Sequence, residues 1–187
     1  MRLIIGALCV ALVAWVWSLA FYVFTDIPYM TMSETRDDVA AAEALLEHFP
    51  ESGTYILPGR SSSDEIRKNM RASGPVATIY IKRDGVPEAS PVMIAIGWFN
   101  SMVIGLLIGG AMLMLNKYTT NYWSHVAICS TMGLAYTAYP RFADIIWSAF
   151  PPGYQLMMIF SDGVSFTLMV MVMAWFTRPK QVAATAT

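Results

Sequence analysis

The sequence predicts a membrane all-α protein: four transmembrane helices, with a small extracytoplasmic α+β domain between the first and the second. Three observations predict it. Of 187 residues, 56% are hydrophobic and 13% charged, whereas a soluble domain carries about 25% charged residues. The apolar residues gather into four long stretches. Every acidic residue except Asp144 and Asp162 falls within residues 26–88, so one polar segment interrupts an otherwise apolar chain.

Residues 1–25 form the first predicted span, from Leu3 to about Phe24. Its apolar run exceeds the 7–15 residues of a signal peptide, and no small-x-small cleavage site follows it. It is therefore expected to stay as an uncleaved anchor. Leu8 precedes Cys9 where lipoprotein processing requires a small residue, which points to packing for that cysteine.

Residues 26–88 predict a compact helix–strand–helix–strand domain. Ser33 can cap a helix running to about His48, with Val39, Ala42, Leu45, Leu46 and Phe49 near helical spacing. Gly53 to Gly59 predicts a strand stopped by Pro58-Gly59. Ser62 followed by Glu65 is a capping-box pattern for a helix to about Ala72. Pro75 to Arg83 predicts the second strand, closed by the turn pair Asp84-Gly85. A unit of this size is marginal on its own and is expected to lean on the membrane helices or on a partner.

Residues 89–180 predict a three-helix membrane domain, with spans at 91–115, 122–139 and 156–176. The short polar loop Asn116 to Asn121 makes the first two antiparallel neighbours. Pro140 ends the middle span. Residues 141–150 then place Phe142, Ile145, Ile146 and Ala149 on one face, and Arg141, Asp144 and Ser148 on the other. That pattern predicts an interfacial helix, broken by Pro151-Pro152-Gly153. Residues 181–187 read as a disordered tail.

Orientation follows from charge in the short loops. Arg2, Lys117, Arg178 and Lys180 lie on one side, against Arg141 alone on the other. The positive-inside rule then puts both termini in the cytoplasm of a bacterial inner membrane and residues 26–88 in the periplasm.

The segment holds Gly53-Thr54-Tyr55-Ile56-Leu57-Pro58-Gly59, and Gly74-Pro75 leads the second strand. A proline-containing entry into closely spaced spans follows. In these features the chain resembles a group of uncharacterised bacterial four-span inner-membrane proteins with a periplasmic G-x-Y-x-x-P-G element. The resemblance implies topology. It implies no activity and brings no catalytic residues.

The candidate functional residues are few. Gly97, Ser101, Gly105 and Gly109 recur every four positions, so they share one helix face. Such a face lets two helices approach closely in lipid, either within this chain, where Ala7, Ala11, Ala14 and Ser18 offer a matching face, or against a partner. Asn100 brings an amide to the same span. Asp162 lies within the last span, where a carboxyl is costly. It is either a titrating site or a structural group, bonded by Tyr136 or Tyr139 or paired with Arg141. His125 lies near the opposite end, and the only other histidine, His48, falls in the polar segment.

No haem motif, paired histidines or paired cysteines support a redox centre. Met169, Met171 and Met173 are two apart and point to different sides of a helix, which disfavours a copper site. Ser61 to Ser63 lack a nucleophile-elbow context. The acidic helix face has no calcium-loop spacing. The expectation is therefore no catalytic, metal or cofactor residue, and a net charge of −1 gives no reason to expect nucleic acid. Two functions remain. One is an accessory or scaffolding subunit of a larger membrane complex, contacting the lipid bilayer, other membrane subunits or its own copies. The other is a small transporter or a lipid- or quinone-handling protein that uses Asp162.

Overall fold

The computed structural model describes residues 1–87 and 90–178; the tail predicted at 181–187 lies outside them. The chain forms α1 (Arg2–Tyr22), a 3-10 turn (Tyr29–Thr31), α2 (Asp38–His48), β1 (Gly53–Leu57), α3 (Asp64–Ser73), β2 (Ala77–Ile81), α4 (Pro91–Leu115), α5 (Tyr122–Trp147) and α6 (Pro152–Thr177).

The four long helices form a bundle around α6, which packs on α1, α5 and α4, while α1 also packs along α4. The residues that meet fix their directions. Gly6 lies beside Met173 while Trp17 donates to the Ser161 carbonyl, Gly105 lies beside Val10 while Gly109 lies beside Leu3, and Gly133 lies beside Phe166 while Arg141 meets Asp162, so α1 and α5 run antiparallel to α6, and α1 antiparallel to α4. The core follows these seams. Ala7, Val10, Met112, Val170, Met173 and Ala174 are completely buried, and Val126 and Cys129 bring α5 into the same cluster.

The expected four spans are corrected by this architecture. Among the described residues three helices are long and apolar enough to cross a membrane: α1, α4 and α6. The fourth long helix, α5, has 26 residues, so length does not disqualify it. Its composition does: His125, Arg141 and Asp144 are spread along it among serines, threonines and tyrosines. The separate interfacial helix expected over residues 141–150 is likewise absent. Pro140 removes one backbone donor, yet α5 runs through it to Trp147. Beyond the proline, Arg141 is paired with Asp162 of α6.

Several boundaries move for local reasons. Asp37, rather than Ser33, caps α2, its carboxylate accepting from the N–H groups of Val39 and Ala40 at 3.0 Å each. Ser63, rather than Ser62, caps α3 by accepting from the Ile66 N–H. The capping box is thus displaced by one residue, because Ser62 is still in the preceding turn, where its N–H bonds to the Gly59 carbonyl. α6 starts at Pro152 instead of Leu156, since proline fits the first helical turn without losing a bond.

The polar segment is organised differently. β1 and β2 pair antiparallel, with Gly53 opposite Ile81 and Leu57 opposite Ala77. Phe49 packs edge-on against Tyr55 with ring centres 4.8 Å apart. Arg83 donates to the Leu46 carbonyl at 2.8 Å, tying β2's end to α2. From Tyr29 to Pro87 no residue is buried. Val39 is 70% exposed and Ile66 50%. The elements are present, but they enclose no core of their own.

Candidate functional site

The small-residue ladder divides into two halves. A methyl group added at Gly105 would sit 3.0 Å from Val10 Cγ1 and 3.2 Å from the Ala7 backbone. At Gly109 it would run into Leu3 and come within 3.0 Å of Met173 Sδ. Both glycines are buried, and they serve the seams of α4 with α1 and α6 inside this chain. Gly97 has nothing within 4 Å of such a methyl. Gly97 and Ser101 instead face a cleft of about 340 Å³ between the C-terminal half of α1 and the N-terminal half of α4. Ala11 and Ala14 line its α1 wall, and Trp15 and Trp98 stand 6.3 Å apart at its edge. Ser101 turns its hydroxyl back to the Gly97 carbonyl at 3.0 Å, which satisfies it without a partner. Asn100 is exposed on the same helix, and its side chain makes no hydrogen bond among the described residues.

Asp162 is held by Arg141. The guanidinium Nη2 lies 3.2 Å from Asp162 Oδ2, and Nη1 donates to Gln155 Oε1 at 3.5 Å. Gln155 is buried within the α5–α6 seam. Tyr136, Thr137, Pro140 and Asp144 complete a cleft of about 260 Å³ around the pair. Tyr136 and Tyr139 do not bond to Asp162 and are exposed. The sequence marks Asp162 and Arg141 but not Gln155. A glutamine seven positions from an aspartate lies on nearly the same helix face, and that spacing was the available signal.

His125 is fully buried at the other end. Its Nε2 lies 2.9 Å from the Thr119 carbonyl. A carbonyl only accepts, so Nε2 carries the proton and closes the α4–α5 turn. Nδ1 meets no partner among the described residues. Next to this turn Asn116 Nδ2 donates to the Thr177 carbonyl at 2.9 Å, tying it to the end of α6. His125 and Arg141 are separated by about 24 Å along α5 at 1.5 Å per residue, so the histidine and the ion pair form two sites rather than one. Among the described residues no three His, Cys, Asp or Glu side chains gather as a metal would require.

The tightest helix contact is one the ladder did not announce. A methyl at Gly133 would overlap the Phe166 ring. A methyl at Gly163 would come within 3.2 Å of Leu134 Cδ1 on the same seam. Thr137 and Thr167 return their hydroxyls to the Gly133 and Gly163 carbonyls at 2.9 and 2.8 Å. The signal was a glycine followed four residues later by threonine, once in α5 and once in α6. This pairs a close approach with a self-satisfied hydroxyl.

No family model matches the chain, and neither a curated protein nor a solved structure matches it.

Proposed function

We propose that the chain is a non-enzymatic accessory or scaffolding subunit of a larger bacterial inner-membrane complex. In this reading the N-terminus is cytoplasmic and residues 26–88 are periplasmic, as the loop charges argue. The observation that carries it is the polar segment. From Tyr29 to Pro87 the chain makes two helices and a two-stranded sheet without burying one side chain. A sheet of two strands needs further packing to be stable, and a partner surface supplies it.

Two further observations support assembly. α5 lies at the edge of the bundle, exposing Met132, Tyr136, Tyr139 and Trp147. It carries too much polarity to face lipid along its whole length, so a protein neighbour suits it better. Asn100 leaves an amide open on an apolar span, where a partner helix is its natural acceptor and donor. The cleft at Gly97 and Ser101, rather than Gly105 and Gly109, is the part of the ladder left for that neighbour. The pairing of Asp162 with Arg141 supports a structural role for that carboxylate over a transport role.

The test is affinity purification of the tagged full-length protein from its native membrane in mild detergent. A larger membrane partner in fixed stoichiometry is the expected result. A chain that emerges alone and still resists proteolysis throughout residues 29–87 would contradict the reading.

A further inference from the structure

Where the polar segment meets the end of the bundle, the chain leaves a cavity of about 420 Å³, within the roughly 300–1,000 Å³ of small-molecule sites. The facing ends of β1 and β2 open onto it, and Trp147 and Ser148 at the end of α5 close it from the bundle side. Acidic residues outnumber basic ones over residues 26–88. Yet among the described residues this wall holds one cation, Arg71 in the last turn of α3, and no carboxylate. The neighbouring arginines are engaged. Arg67 donates to the Arg60 carbonyl at 2.6 Å and pairs with Asp64, and Arg83 donates to the Leu46 carbonyl. Arg71 makes no hydrogen bond or ion pair among the described residues. The two hydroxyls of the wall, on Thr78 and Ser148, are likewise unbonded there.

We propose that this cavity binds an anionic phosphate group, with the Arg71 guanidinium as its charged donor. A guanidinium presents two parallel N–H groups that match phosphate oxygens, and Thr78 and Ser148 bring hydroxyl donors to the same wall. Position points to the source of the phosphate. α1 ends at Tyr22 and α4 begins at Pro91 on the same end of the bundle as Trp147, and both helices are long and apolar enough to span a membrane. That end therefore meets a membrane surface. Trp147, 84% exposed, is the residue type that settles among headgroups. A phospholipid brings its phosphate to that depth and lays apolar atoms against Ile56 and Val76, which line the cavity and are about half exposed. Free phosphate has the same oxygens but covers neither side chain. The site does not depend on the identity of any protein partner.

The test takes the full-length protein in mild detergent and adds palmitoyl-oleoyl phosphatidylglycerol, palmitoyl-oleoyl phosphatidylcholine or inorganic phosphate. Native mass spectrometry then reads what is retained. Phosphatidylglycerol should be retained over phosphatidylcholine, whose choline cancels the charge. Arg71→Gln should lower that retention about tenfold, the factor that one charge-assisted hydrogen bond carries. Ser148→Asp sets a carboxylate into an exposed position of the wall and should lower it similarly, which keeps the test decisive should Arg71→Gln fail to fold. Arg36→Gln removes the same charge from the same segment but outside the wall, and should leave retention unchanged. Arg71-dependent retention of inorganic phosphate without lipid would uphold the site and assign it to free phosphate. The proposal is overturned if neither ligand is retained, or if the two lipids are retained equally. It is also overturned if a folded wall variant retains the ligand fully, or if Arg36→Gln lowers retention as much as Arg71→Gln.

Discussion

The helical bundle completely buries Ala7, Val10, Met112, Val170, Met173 and Ala174, while residues 29–87 bury nothing. The two regions use the same devices at their ends: Asp37 and Ser63 cap helices in one, Ser90 and Asn121 in the other. They differ in what the elements then meet. In the bundle each interior glycine faces a named side chain on another helix. In the polar segment the apolar side chains of α2 and α3 meet solvent. Local sequence signals suffice to make helices and strands. A core requires a second surface, and the chain supplies one only for the bundle.

That contrast can be sharpened from the strongest contact downward. Gly133→Leu should be the most damaging single change, because the Phe166 ring occupies the space a side chain needs. Overpacking costs about 1–3 kcal/mol and more where nothing can yield, so loss of the folded bundle in detergent, followed by circular dichroism on heating, is expected. Gly105→Leu and Gly109→Leu should each lower bundle stability by about 1–3 kcal/mol in the same measurement. If either left stability intact and only released a partner, the ladder's inner half would belong to an interface and not to this chain's core.

Asp37→Ala removes a cap that accepts two N–H groups and should cost about 1 kcal/mol. The loss should be confined to α2, read as faster amide exchange there with the bundle unchanged. Equal loosening of the bundle would mean that the two regions fold as one unit. Asp162→Asn should cost under about 1 kcal/mol, because the pair is part-exposed at the bundle's end. Thermal unfolding of this variant beside Arg141→Met and the double variant checks the coupling. Gly97→Ala should be the mildest change, within about 0.5 kcal/mol in thermal unfolding, because its methyl meets nothing within this chain.

Much of the fold was legible because it is written in local patterns. The apolar runs of α1, α4 and α6 are long enough at helical rise to cross a bilayer's hydrocarbon core, and Pro58 and Gly59 follow directly on the end of β1 at Leu57. What was not legible depends on contacts distant in sequence. Pro140 is a helix breaker by itself, yet α5 continues past it to Trp147, into the turn where Arg141 meets Asp162 and Gln155 of α6. The stretch from Tyr122 to Tyr139 predicts a span, but His125 and the serines, threonines and tyrosines around it leave α5 less apolar than α1, α4 and α6. The ladder was visible as a face of small residues, yet its division into a packed half and an open half depends on what stands opposite: Val10 at Gly105 and Leu3 at Gly109, but nothing within 4 Å of a methyl at Gly97. Gly133 stood alone in its helix and gave no ladder to notice, although it makes the closest approach.

The most direct test of the account is hydrogen–deuterium exchange on the full-length protein, once alone in detergent and once in membranes that contain its native neighbours. A coreless segment opens cheaply, so amides in α2, β1, α3 and β2 should exchange far faster than those of α1 and α6 in the isolated chain. They should become protected in the native membrane, where a partner covers them. Protection of residues 29–87 equal to that of the bundle in the isolated chain would contradict the account.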